Sequence, residues 1–191
     1  MTADRLLVRD LVFAGAAGIA IAAACGLRAF LPLLALSLGV RFDLVRVDHA
    51  AAWIATTPVL VTLVWATLIE VVADKVPAID HLLDLVGTGL RPAAAAIAAW
   101  CTFEGVHPAI AIAASLVLGG GAMGLHVAKA KVRIGSSMLT FGGANAVLSF
   151  IEDAIATGLS ALAVLAPIAG VVAAGMVVWV FRRVFRAPRW R

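Results

Sequence analysis

Apolar residues run almost unbroken from 11 to 40, and the only side chains there that can ionise are Cys25, normally neutral, and Arg28. As a single helix this stretch would reach roughly 45 Å at 1.5 Å per residue, well beyond a hydrocarbon core of about 30 Å. A break is therefore expected. Gly26, Arg28 and Pro32 stand together where it should fall.

A mixed-charge loop over 41–49 leads into a second uncharged run, 50–69, which ends on Glu70, Asp74, Lys75 and Pro77. From 77 to 90, Ile79, Leu82, Leu83, Val86 and Leu90 recur at helical spacing opposite Asp80, His81, Asp84 and Thr88. That pattern predicts an amphipathic helix lying in a membrane interface. Arg91 and Pro92 open a third span, short if it ends at 103, and a turn follows over 104–108. The fourth span, 109–128, carries Gly120 and Gly124 at the small-xxx-small spacing that permits close helix contact. A Gly/Ser-rich loop ends at 143. The fifth span, 144–166, contains Glu152 and Asp153, and Pro167 turns the chain into a sixth, 168–181. Trp179 falls where an interfacial aromatic anchor belongs.

The pattern thus predicts an all-α polytopic membrane protein. It forms a single domain over 1–191 with six transmembrane helices in two halves, 11–106 and 107–186. Composition agrees: 63% of residues are hydrophobic and 14% charged, where a soluble domain has about 45–50% and 25%. Cys25 and Cys101 both lie in apolar runs without metal-ligand spacing, so they read as packing residues. The stretch Ala22-Ala23-Ala24-Cys25-Gly26 looks superficially like a lipoprotein cleavage site. The Ala at 22 and the apolar run resuming after Arg28 instead predict a helix that is kept.

Basic residues orient the six spans. One side collects Arg5, Arg9, Lys75, Arg91, Lys129, Lys131, Arg133 and the five tail arginines, while the other holds Arg41 and Arg46. The positive-inside rule then places both termini in the cytoplasm, with the chain in a bacterial inner membrane. Three spans in each half suggest an inverted repeat. A shift of 98 residues sets Gly26-Leu27-Arg28 against Gly124-Leu125-His126, and a shift of 82 sets Ile69-Glu70 against Ile151-Glu152. Gly89-Leu90-Arg91 fits neither copy.

Charge inside the apolar runs carries the functional expectation. A guanidinium at the centre of a span costs about 2.5–3.5 kcal/mol on insertion scales, so such groups pair or serve an ion or substrate path. The candidate ion or substrate site is Arg28, Glu70, Asp74, Lys75, His126, Glu152 and Asp153. Lys129, Lys131 and Arg133 determine topology or meet anionic head groups. Asp80, His81 and Asp84 form a solvated face rather than a cation site. No phosphate loop, His-Glu-x-x-His or nucleophile elbow is present, so no enzyme, cofactor or metal is expected.

These residues predict a small secondary transporter with a charged site near the midplane, moving an ion or small charged solute with proton coupling. One alternative is a flippase or scramblase for an anionic lipid phosphate. Another is a structural or assembly protein whose buried charges fix helix register. The bilayer is the expected partner, nucleic acid is not, and a homo-oligomer is allowed.

The motifs Gly26-Leu-Arg-Ala-Phe-Leu-Pro-Leu-Leu, Glu70-Val-Val-Ala-Asp-Lys-Val-Pro, Gly89-Leu-Arg-Pro-Ala and His126-Val-Ala-Lys-Ala resemble a known family. It is the group of bacterial integral-membrane proteins called domain of unknown function 4126. The resemblance implies the membrane class and these motifs, and no reaction. A partial likeness links the chain to cation/proton exchangers that repeat Glu-x-Gly-Asp-Lys in two inverted halves. Here the Glu70-to-Asp74 spacing is one residue longer and lacks the Gly, and Glu152-Asp153 has no basic neighbour.

Overall fold

A computed structural model describes residues 3–75, 77–140 and 145–186, and among them there are eight helices and no strand. The α-helices are α1 (Ala3–Leu27), α2 (Phe30–Arg41), α3 (Thr57–Ala73), α4 (Pro77–Thr102), α5 (Pro108–Thr140), α6 (Asn145–Leu165) and α7 (Pro167–Arg186). A 3-10 helix, His49–Ala55, precedes α3 at a bend of 56°. Pro108–Ser136 and Val147–Leu165 are long and apolar enough to cross a membrane, and the bent pair adds a third if it is one span. Leu11–Leu27 and Phe30–Arg41 are apolar but shorter.

α1 is the central helix, with α4, α5, α6 and α7 packed around it. Small side chains make this possible. Ala20, Ala24 and Cys25 are fully buried, and at Gly26 an added Cβ would lie 2.8 Å from Leu125 Cβ and 2.9 Å from the Ala122 carbonyl. α4 and α5 approach as closely where Gly119 faces the Pro92 carbonyl, which a Cβ would meet at 2.8 Å. The expected contact at Gly120 and Gly124 does not form, for both face open space. The interior face of α5 is instead the stripe Ala111, Ser115, Gly119, Ala122, His126, Lys129 and Arg133, spaced by three and four residues.

The break at Arg28 is a reversal rather than a kink. Arg28 N–H makes the last bond of α1, to Ala24 O at 3.0 Å. Beyond it the chain turns back, so that α2 runs opposite to α1. Leu31 packs in the cluster of Leu159 and Ile155, while Gly39, further on, lies against Val164. Along the same helix α1 descends the other way, from Ala20 beside Ala163 and Gly170 to Ala24 and Leu27 beside Ala156 and Leu159. Arg9, Ala14 and Ala17 consequently share a cavity with 43–46, just past the end of α2.

This reversal corrects three expectations. Residues 11–40 are two antiparallel arms, not one broken span. Ala3, where α1 begins, and Arg186, where α7 ends, therefore lie at opposite ends of the bundle and not on the shared side expected. α1 and α5 run in the same sense, with Gly18 beside Leu118 and Gly26 beside Ala122, so the equivalence of Arg28 with His126 is not that of an inverted repeat.

Helix boundaries differ too. α4 is continuous through Pro92 rather than an interfacial helix followed by a span. Leu85 and Val86 of this helix are exposed, while Gly87 and Arg91 are buried. α5 continues past 128 to Thr140, carrying Lys129 and Arg133 inside the bundle. The end of the Gly/Ser-rich loop and the side chains of Asp80, His81 and Asp84 lie outside the described residues.

Candidate functional site

The reversal leaves backbone groups without helical partners, and charged side chains supply them. Ala29 and Phe30 N–H donate to Glu70 Oε1 and Oε2 at 2.8 and 3.1 Å. A carboxylate from α3 thus caps the positive end of α2. At the other stump, Lys129 Nζ donates to Leu27 O at 3.4 Å, placing an ammonium at the negative end of α1. Such placements contribute about 0.3–1 kcal/mol each, and up to ~2 kcal/mol when partly buried. Pro32 sits in the first turn of α2, where its missing N–H leaves nothing unsatisfied. It begins a helix and does not kink one.

Below the turn lies a network of buried charge centred on Asp74. Arg133 grips this carboxylate with both Nη atoms, at 2.8 and 2.7 Å, and Arg28 Nη2 approaches it at 2.6 Å. Ser149 Oγ donates to Asp74 at 2.6 Å and accepts from Arg28 Nη2 at 3.0 Å. Glu152 takes a hydrogen bond from Arg133 Nη2 at 2.8 Å and an ion pair from Lys129 Nζ at 2.8 Å. Asp153 bridges outward, 2.7 Å from Arg28 Nε and 2.9 Å from Lys75 Nζ. Lys75 also lies 4.7 Å from the centroid of the Phe150 ring.

Arg28 is fully buried, and its Nη1 has no hydrogen-bond partner among the described residues. The same residue lines a cavity of about 270 Å³ with Glu70, Asp74 and Arg91, walled by apolar residues including Phe30, Ala66, Ile69, Val86 and Leu90. Arg91 is buried as well and reaches His126 Nδ1 through Nη1. A guanidinium only donates, so Nδ1 accepts and the ring proton is assigned to Nε2, which faces Thr88 Oγ1 at 3.4 Å.

Of the expected site residues, the structure brings Arg28, Asp74, Lys75, Glu152 and Asp153 into one network and places Glu70 at its edge as a helix cap. His126 stands apart from Arg28, paired with Arg91. Lys129 and Arg133 are not surface groups for head groups; both are buried and bound to carboxylates. Lys131, between them, is exposed.

Sequence reasoning missed Arg91 and Ser149. Arg91 had a signal, because it falls on the stripe Gly87, Arg91, Ala94, Ala95 and Ala98 that α4 buries. Lys129 and Arg133 likewise continue the small-residue stripe of α5. Ser149 offered none beyond being one turn before Glu152.

Among the described residues the site gathers five basic side chains (Arg28, Lys75, Arg91, Lys129, Arg133) and four carboxylates (Glu70, Asp74, Glu152, Asp153). Each carboxylate already receives cationic or backbone donors. No group of three or more metal-ligating side chains occurs among the described residues. The arrangement can therefore accept negative charge more readily than a cation.

The family described as Domain of unknown function (DUF4126) matches residues 16–187, and the chain belongs to it. No curated protein and no solved structure matches the chain.

Proposed function

We propose that this protein is a small membrane transporter whose site takes up an anionic group from the cavity between α3 and α4. The observation that carries the reading is the buried Arg28 guanidinium, which lines the cavity while its Nη1 has no hydrogen-bond partner among the described residues. A buried donor without an acceptor costs about 1–3 kcal/mol, more for a charged group, and an anion that supplies the acceptor recovers it. Arg91, on the opposite wall, would be the second anion contact.

Glu70 and Asp74 are poor cation ligands in this reading, since helix N–H groups and two guanidinium groups already occupy them. They hold the turn and Arg28 in place. Charge drives the choice between solutes, and the proton coupling expected from Glu70 and Glu152 is not needed.

Orientation follows from the reversal. The end that carries the network also holds Lys75, Lys129, Lys131, Arg133 and, late in α7, Arg182 and Arg183, and the opposite end holds Arg9, Arg41 and Arg46. By the positive-inside rule the charged end faces the cytoplasm of a bacterial inner membrane, and the start of α1 faces outward.

Proteoliposomes test the reading with two probes, radiolabelled inorganic phosphate for uptake and a fluorescent phosphatidic acid for leaflet exchange. Wild-type protein is expected to move at least one of them faster than Arg28→Gln protein and empty vesicles. Equal rates for both probes in all three preparations would sink it.

A further inference from the structure

The cavity ends in charge, but its mouth is apolar. Arg28 and Arg91 are buried at 0% and 2% exposure, whereas Ile69 of α3 and Val86 of α4 on its walls are 62% and 53% exposed. α3 rests mainly on α2 and touches α4 little, so the two helices part around the opening. Leu68, Val72 and Leu85 beside it are also exposed, which continues the apolar rim onto the outer face of the bundle.

We infer that the anionic group belongs to a membrane lipid, which enters sideways between α3 and α4 with its head group toward Arg28 and Arg91. This rests on the anion-binding reading above and names its substrate class. A free anion would have to shed water and cross an apolar mouth to reach the guanidinium groups. A lipid anchors its chains in the hydrocarbon outside while only the head group moves inward. Size points the same way. At about 270 Å³ the cavity is just below the roughly 300–1,000 Å³ of pockets that enclose a whole small molecule. It suits a phosphate head group whose acyl chains stay outside. Phe30 and Leu90 on the wall would then contact the glycerol and first methylenes.

Full-length protein in phosphatidylcholine nanodiscs doped with phosphatidic acid provides the test, with retained lipids counted by native mass spectrometry. Wild type is expected to keep one phosphatidic acid per chain with about ten-fold preference over phosphatidylcholine, equivalent to about 1.4 kcal/mol. Ala66→Phe fills the cavity from α3 without touching an ion pair, and it should remove the preference at unchanged helicity. Arg28→Gln should remove it too. Equal retention of the two lipids by wild type, or a preference that survives Ala66→Phe, overturns the inference. Titration with inorganic phosphate separates the two levels. Phosphate binding that Ala66→Phe abolishes, without any lipid preference, leaves the anion site standing and removes the lipid. Binding of neither ligand removes both.

Discussion

The two ends of the bundle each carry a cavity with charged walls, yet only one is a candidate site. At the end opposite Arg28, Arg9, Asp43, Arg46 and Glu104 surround a cavity of about 480 Å³, and all four are exposed. At the other end, similar residue types surround a smaller space but are buried and bonded to one another. Exposed charges of this kind are screened and contribute about 0–1 kcal/mol per pair. Buried ones are expensive unless every partner is in place. The difference shows that charge in a membrane protein is informative where it cannot be solvated, and that counting charged residues around a cavity is not enough.

Breaking the hub of the buried network should have the largest effect. Asp74→Ala leaves Arg28 and Arg133 facing each other without their shared carboxylate, at an expected cost of about 3–5 kcal/mol. Glu104→Ala at the opposite end should stay within about 0.5 kcal/mol. Unfolding in mixed micelles measures both, and similar losses would erase the distinction between the ends.

A second pair tests whether close packing supports the charged end. Gly26→Ala forces a Cβ against Ala122 O and Leu125 and should cost about 1–3 kcal/mol. Gly120→Ala, on the open face of the same pair of helices, should be neutral or stabilise by up to about 1 kcal/mol. The same unfolding assay ranks them. Equal effects would mean that the α1–α5 contact is looser than described.

The smallest effect belongs to the cap. Glu70→Gln keeps one acceptor for the α2 N–H groups but loses the charge, and about 1 kcal/mol of stability should go with it. Amide hydrogen exchange at Ala29 and Phe30 reads this locally. Unchanged protection would show that the carboxylate does not hold the turn.

Much of this was legible in the sequence. Arg28 stood out because a charge inside an apolar run needs a reason, and Gly26 and Pro32 located the break correctly. The sense of the break was not legible. Hydropathy records which residues avoid water and does not record which way the chain runs, and the groups that satisfy the turn, Glu70 and Lys129, come from helices far along the chain. The boundary expected at Arg91 and Pro92 has a similar cause. A proline usually ends or starts a helix, yet α4 runs through Pro92, and Arg91 beside it faces the bundle. Lysines and arginines at the end of an apolar run usually mark its boundary, so the sequence by itself sets Lys129 and Arg133 at the surface. Their spacing with His126 and Ala122 recorded the buried face all along.

The turn at Leu27 to Phe30 also sets a problem of timing. Its backbone N–H groups find their acceptor 40 and 41 residues later, and Arg28 finds Asp74 46 residues later and Ser149 121 residues later. During synthesis the hairpin therefore emerges with an uncompensated guanidinium and an open helix end. It gains its cap only after α3 has been made, and the network closes only when α5 and α6 arrive. The first hairpin thus depends on the completion of later helices, and a chain truncated before Glu152 should leave its own beginning exposed to proteolysis.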